Sequence, residues 1–496
     1  MRSRISSSLV AVAILTVLAA VLRFAGIGHQ GFWFDEGNTV LLVHYPLGKM
    51  FGLLPQSEST PPLYYAVVWV WARVFGFGEA GMRSLSAVAG VATVPVAYAA
   101  SRKLIAERVG VLVAALTAFN PLLIWYAQEA RSYSLLVLLA AASLLAFAYA
   151  LERPTGRRLA AWAVASALAL ATHYYAVLVI VPEAAWLLLP GYRRRPVGLG
   201  VAAVAACGLA LLPLALSQNG TGNDDWIAAA PLGPRLRQLV PQFVLGTGSP
   251  AYHVLEPLAA GLTLAGLALL VVRGESRERR RAFVPGSIAV GGFALNLVLV
   301  AAGYDDLITR NMIALWLPAA VVVAAGFGAA RIRVAGIAAA ALFCAIGVVA
   351  TVGVASERNL ERPDWEAVAD VLGSAPPGGR AVLVQHYRDS LPLSLYMPSL
   401  QLWRSRKPER IDQLDVIAIS SPQQPLCWWG AACNLIPSHI QGSYPIPGFH
   451  EVWERHALQF TVMQLDARRP ERVSRTEIAH ALTATKLPHD GLLYQS

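Results

Sequence analysis

Charge is what this sequence has least of. Only 14% of its 496 residues are Asp, Glu, Lys or Arg, against about 25% in a soluble globular domain. Hydrophobic residues make up 56% and mean hydropathy is +0.51. Those figures exclude a soluble globular protein and leave a polytopic membrane protein. Cysteine is scarce too, at four residues, and none has zinc-ligand spacing. The chain lacks a Walker phosphate loop and a G-x-S-x-G nucleophile elbow. It also lacks a repeat of roughly 20–50 residues, a long low-complexity segment and a charge ladder within any apolar run. Its basic gaps are too short to house a Rossmann-like domain for nucleotide-sugar chemistry.

What is present begins with the positive charge. The net charge of +10 would suggest nucleic acid on a soluble protein. Here the arginines fall in short gaps between apolar runs, the footprint of the positive-inside rule, so no nucleic-acid partner is expected. The basic gaps are Arg2/Arg4, Arg102–Arg108, Arg153–Arg158, Arg193–Arg195, Arg273–Arg281 and Arg331–Arg333. Assigning all of them to the cytoplasm lets the spans alternate. The spans are Leu9–Phe24, Leu85–Ala100, Val109–Tyr126, Leu135–Leu151, Leu159–Thr172, Ala176–Leu189, Val197–Leu216, Leu258–Val272, Phe283–Ala302, Ile313–Ala330 and Val334–Ala355. That predicts about eleven crossings, with the N-terminus inside and the C-terminus outside. The first span lacks an A-x-A cleavage site and is predicted to stay uncleaved. Leu63–Phe77 would break the alternation, so it reads as an interfacial helix with Trp69 and Trp71 near the headgroups.

Under this topology the segments with unusual polar residues all fall outside: FDEG (Asp35, Glu36), TPPLYY (Thr60–Tyr65), YAQEARSY (Tyr126–Tyr133), THYY (Thr172–Tyr175), NGTGNDDW (Asn219–Trp226) and YDDLITRN (Tyr304–Asn311). They are expected to converge on one cavity at the outer leaflet. Residues 1–355 read as the membrane module and 356–496 as a small extracytoplasmic α/β domain. Ala381–His386, Asp415–Ser420 and Phe460–Leu465 look like strands, and Pro363–Leu372 like a helix with Pro near its start. Cys427 and Cys433 lie in this domain, on the oxidising side. A disulfide is expected there, worth roughly 2 kcal/mol for so short a loop. Cys207 and Cys344 fall inside spans and read as packing residues.

Asp35 is the leading candidate for chemistry. A carboxylate can take a proton from an attacking hydroxyl, at a pKa that burial can raise; the structural alternative is a helix-capping Asp. Glu36 is its partner. Arg131 suits a phosphate, because guanidinium matches phosphate oxygens, and Arg310 and His173 are further phosphate candidates. Glu129 would hold Arg131, an acceptor hydroxyl or a metal; the plainer reading is an ion pair with Arg131 tying a loop to a helix end. Tyr64, Tyr65, Tyr174 and Tyr175 could line a sugar or lipid site, or belong to an aromatic belt. Asp224/Asp225 and Asp305/Asp306 read mainly as solvated loop acids.

Taken together, FWFDEG, TPPLYY, the Glu79-to-Arg83 spacing of GEAGMR, NPLLIWYAQEARSYSLLVLLAA, THYY, Asp305/Arg310 and RPDWEAVADVL resemble GT-C integral membrane glycosyltransferases. They are most similar to the bacterial dolichyl-phosphate-mannose-protein-mannosyltransferase-like group, related to protein O-mannosyltransferases and the lipid A aminoarabinose transferase. The resemblance runs roughly from Leu9 to Leu372. It implies a mainly α, polytopic GT-C fold with outer juxtamembrane helices. It also implies transfer, on the outer face, of a sugar from a polyprenyl-phosphate carrier to a lipid, glycan or protein hydroxyl. The family's catalytic Asp in the first outer loop carries over onto Asp35. Oligosaccharyltransferase-type relatives place a second acidic motif and a metal after the third span; here QEAR has one acid rather than two. No cofactor is therefore required, with a divalent cation such as Mg or Mn as the option left open. The readings from other classes are a transporter or lipid flippase and a non-catalytic envelope-assembly protein.

Overall fold

The computed structural model describes residues 7–192, 195–329, 331, 333–357, 360–384, 390–405, 407–419, 448–457, 460–481 and 491–495. Two compact units emerge: Met1–Ile27 with Tyr45–Gly353, and Gly28–His44 with Val354–Ser496. Gly28–His44, placed in the membrane module by the sequence reading, clusters with the second unit. Cys427 and Cys433 lie outside the described residues.

The first unit is helical: α1 (Ser7–Phe24), then, past α2 (Phe34–His44) of the second unit, α3 (Leu47–Ser57), α4 (Leu63–Phe75), α5 (Glu79–Leu104), α6 (Glu107–Phe119), α7 (Pro121–Ala127), α8 (Tyr133–Glu152), α9 (Gly156–Thr172) and α10 (Val177–Leu188). It continues with α11 (Arg195–Asn219), α12 (Asp225–Ala228), α13 (Leu232–Leu245), α14 (Tyr252–Arg273), α15 (Ser276–Ala301), α16 (Trp316–Phe327) and α17 (Arg333–Ser356). Short 3-10 turns cover Tyr174–Ala176 and Thr309–Leu315. All eleven apolar runs named from the sequence are largely helical. Among the described residues, eight are long and apolar enough to cross a membrane, or nine if the bent pair α6–α7 counts as one. The difference from about eleven lies at α9 and α10, of 17 and 12 residues, against the roughly 20 that a span needs. Within Leu63–Phe77 the helix is the 13 residues Leu63–Phe75, too short to span roughly 30 Å of hydrocarbon.

Buried polar groups shape this unit. Span α6–α7 bends by 56° at Asn120, whose side chain accepts from Leu123 N–H and so caps α7. The bend frees carbonyls at the end of α6, and the fully buried Arg23 of α1 donates to two of them, Thr117 at 2.9 Å and Ala118 at 3.0 Å. A cation at a helix C-terminus also meets the negative end of its dipole. Gly90 leaves room for Arg23, because a Cβ there would sit 2.9 Å from its Nε. Elsewhere small residues let backbones touch: a Cβ on Gly326 of α16 would collide with the Gly266 carbonyl of α14.

The second unit holds a six-stranded sheet in the order β2-β6-β1-β3-β5-β4, where β1 is Arg380–Val384, β2 Gln401–Leu402, β3 Glu409–Ile419, β4 Phe449–Ala457, β5 Phe460–Val473 and β6 Leu492–Gln495. Among the described residues, only β1 and β3 pair in parallel. The central strand β1 is buried on both faces: Ala381 and Leu383 pack with Leu414 and Met463, whereas Val382 and Val384 pack with Phe460 and Val462. The second face is covered by Trp365 and Val368 of α18 (Trp365–Leu372) and Leu393 of α19 (Ser390–Tyr396). Asp364, rather than Pro363, sets the start of α18, accepting from Ala367 N–H at 3.2 Å. The last helix, α20, is Arg475–Ala481.

Candidate functional site

Five of the six polar segments singled out in the sequence meet inside the first unit. Glu58, where α3 ends in extended backbone, and Arg131, on the short loop before α8, form a buried ion pair. Arg131 Nη1 lies 2.9 Å from both Glu58 carboxylate oxygens. Glu58 is thus a carboxylate partner of Arg131, and the Arg131 N–H donates to the carbonyl of the neighbouring Glu129. Ser86 Oγ donates to the Arg131 carbonyl at 3.1 Å and steadies the loop from α5. Gln128, at the head of the same loop, donates to the Leu22 and Ala25 carbonyls at the end of α1. Arg83 closes the same end through the Ile27 carbonyl. These bonds fix where the QEARSY loop sits.

His173 follows α9, fully inside the protein. Its Nδ1 accepts from Tyr175 N–H at 3.3 Å, so a neutral ring carries its proton on Nε2. Burial first, then the positive fields of Arg131 and Arg310, lower its pKa to about 3. The imidazole is thus a neutral donor rather than a third cation. Its ring lies 5.5 Å from Tyr133 and 5.8 Å from Tyr175, and Tyr133 lies 4.7 Å from Tyr126. The Arg310 guanidinium sits over two rings, 5.5 Å from Trp226 and 5.9 Å from Tyr133.

The remaining members tie in by hydrogen bonds. Tyr65 is fully buried and shares a 2.9 Å bond with Thr60, and its ring meets Tyr64 edge-on at 5.5 Å. Tyr174 donates to Gln218, whose amide donates to the Thr60 carbonyl. Tyr175 donates to Asp306 at 3.0 Å. Asp305 is clamped by Arg235 through bonds of 2.7 and 2.6 Å. The adjacent acids are driven apart: hydrogen bonding to Arg235 holds Asp305 below the usual carboxylate range, while burial and the Asp224 charge push Asp306 up to about 6. Asp305/Asp306 are part of the cluster's framework, not merely solvated loop acids. Among the described residues, no three His, Cys, Asp or Glu side chains are grouped to hold a metal ion.

Asp35 and Glu36 belong to the second unit, in the first turn of α2. Asp35 is half-buried and Glu36 fully buried, with its carboxylate accepting from Trp33 N–H at 3.5 Å. Gly37 packs closely, since a Cβ there would lie 3.3 Å from Pro392 of α19. The Phe32 amide donates to the Tyr396 hydroxyl of the same helix.

Sequence reasoning missed Glu58, Arg235 and Gln218. Glu58 had a usable signal: in a chain with only 30 acids, one two residues ahead of TPPLYY invites attention. Arg235 was not singled out, because its partner is 70 residues away.

The fold and the cluster define a polytopic helical membrane protein with guanidinium, imidazole and phenol groups gathered within one helical unit. Residues 59–217, which carry TPPLYY, QEARSY and THYY, match the family model of dolichyl-phosphate-mannose-protein mannosyltransferases, a glycosyltransferase family. The resemblance read from those motifs is thereby borne out. No curated protein matches the chain. Among solved structures it is similar to ArnT from Cupriavidus metallidurans bound to undecaprenyl phosphate, at 14% identity, covering 92% of this chain and 97% of that one with a TM-score of 0.49. The apo oligosaccharyltransferase of Archaeoglobus fulgidus aligns at 12% identity over 75% of this chain and 58% of that one, with a TM-score of 0.47. The S. cerevisiae protein O-mannosyltransferase Pmt1–Pmt2 complex bound to the sugar donor aligns at 16% identity, with a TM-score of 0.31. That alignment takes in 44% of this chain and 34% of the yeast chain's length.

Proposed function

We propose that the protein is a membrane glycosyltransferase that moves a sugar from a polyprenyl-phosphate carrier to an acceptor hydroxyl, with inversion, on the outer face of the membrane. The observation that supports it most is that Arg131 and Arg310 both bear on a neutral His173 among Tyr126, Tyr133, Tyr175 and Trp226. Arg131, which keeps Glu58 as its counter-charge, and Arg310 both offer guanidinium donors beside that ring, and these suit an entering anion. The anion in this reading is the donor phosphate. His173 Nε2–H donates to it, and the aromatic rings and Tyr64, Tyr65 and Tyr174 face the sugar and the first prenyl units. Glu129 lies beside the acceptor. A phosphomonoester leaves readily, so the reaction needs positive charge at the leaving group and a base for the acceptor rather than a strong acid.

Asp35 is assigned as that base, with Glu36 beside it. The bond from C1 of the sugar to the phosphate oxygen breaks, its electrons stay on phosphate, and C1 bonds the acceptor oxygen from the opposite side. The acceptor proton passes to Asp35. The acceptor is a lipid, glycan or protein hydroxyl. The test is transfer from a synthetic prenyl-phosphate sugar in nanodiscs. Asp35→Asn keeps the shape and removes the base, so turnover is expected to fall by about 10²–10⁴. Wild-type turnover in a folded Asp35→Asn protein would move the base elsewhere, with Glu129 next to examine.

A further inference from the structure

We propose that Glu58 is a specificity-determining residue that favours the monoanionic donor over the dianionic product of transfer, and so promotes product release. The inference rests on the reading of the cluster as a donor-phosphate site. Before transfer the carrier phosphate is a diester with one negative charge. After transfer it is a monoester whose second pKa is near 6, so near pH 8 it carries two. Cations alone would hold the second species more tightly and trap the enzyme with its product. Glu58 opposes that. It is buried, it fixes Arg131 Nη1 with two 2.9 Å bonds, and its own charge stands behind the guanidinium. One negative charge within a few ångströms of the phosphate repels each added phosphate charge. At an effective dielectric constant near 20, that amounts to about tenfold or more in affinity. The buried Tyr65, bonded to Thr60 at 2.9 Å, lies close enough to feel both charges of this pair.

The experiment measures binding of a prenyl monophosphate and a prenyl methyl phosphodiester to the full-length protein in nanodiscs at pH 8. Wild type is expected to bind the diester at least as tightly as the monoester. Glu58→Gln is expected to shift the ratio about tenfold toward the monoester, and product inhibition by the monoester should deepen to match. Glu58→Asp, which keeps the charge, should retain the wild-type preference, an outcome that a merely structural role would not distinguish from Gln. If Glu58→Gln does not fold, wild type alone decides, and tenfold tighter monoester binding there overturns the proposal. An unchanged ratio in folded Glu58→Gln overturns it while leaving the phosphate site standing. Failure of wild type to bind either ligand overturns the site and the proposal together.

Discussion

Each unit buries an arginine–carboxylate pair, and the two pairs differ in what surrounds them. In the second unit Arg380 faces Asp415 at 3.5 Å, both fully inside the sheet. Arg380 also donates to the Leu372 and Gly373 carbonyls at the end of α18 and to Gln495, while Gln413 donates to both Asp415 oxygens. Helix end, strand and amides thus close the charges off from anything outside the protein. Arg131 and Glu58 stand instead on chain segments outside regular helix, near a second guanidinium, a neutral imidazole and several aromatic rings. Burial of an ion pair does not by itself mark a site, because buried pairs often contribute little net stability. The informative feature is guanidinium groups and a neutral imidazole gathered with ring faces around them.

The contrast breaks most visibly at Arg380. Arg380→Met leaves the Asp415 carboxylate buried without its cation, and is expected to cost about 3–5 kcal/mol of second-unit stability. Limited proteolysis and thermal unfolding would read this as early loss of the sheet, with prenyl-phosphate binding by the remaining folded protein unchanged. Arg131→Ala also strands a buried carboxylate, Glu58, and so costs stability as well. What sets it apart is that in the protein that remains folded turnover should fall on the order of 10²–10³, the usual effect of removing a donor to developing anionic charge. Arg131→Lys should recover only part, because an ammonium lacks the planar fork. Unchanged donor affinity and turnover in folded Arg131→Ala would make this pair as structural as the other.

A smaller effect is expected at Arg310, whose stacking on Trp226 and Tyr133 is worth about 0.5–2 kcal/mol. Trp226→Leu should weaken donor binding by a few fold to about 30-fold, and equal binding would detach the ring from the site. The least change is expected from pH. Asp306 is raised to about 6 in the folded protein, above the ordinary Asp value near 3.9. A raised carboxyl contributes stability that is full below its unfolded pKa and lost as pH rises through about 6. Unfolding of the first unit should therefore shift to higher temperature on going from pH 7.5 to 5, and Asp306→Asn should flatten that dependence. An identical pH profile in the variant would remove Asp306 from the account.

Much of the architecture was legible because it follows from local pattern. Apolar runs and arginine gaps located the helices, and Ala381, Asp415 and Phe460 began runs that became strands β1, β3 and β5. The candidate site was legible only as segments. TPPLYY, QEARSY, THYY and the Asp305–Arg310 loop stood out by composition, yet which groups meet depends on contacts such as Arg131 with Glu58, 73 residues apart. Periodicity carries no information at that range. The protonation of His173 was equally hidden, since it depends on burial and on two distant arginines. The break at Asn120 was missed because Val109–Tyr126 reads as uninterrupted apolar text, although the Asn-Pro step was a turn signal in plain view.

The central claim, that the cluster in the first unit is a phosphate site for a prenyl carrier, is tested most directly by binding. The affinity of a prenyl phosphate is compared with that of the uncharged prenyl alcohol of equal length, in nanodiscs, for wild type and for the Arg131→Ala/Arg310→Ala double variant. The expected result is a preference of tenfold or more for the phosphate in wild type, abolished in the folded double variant while alcohol binding stays the same. Equal affinity for phosphate and alcohol in wild type, or an undiminished preference in the double variant, would contradict the claim.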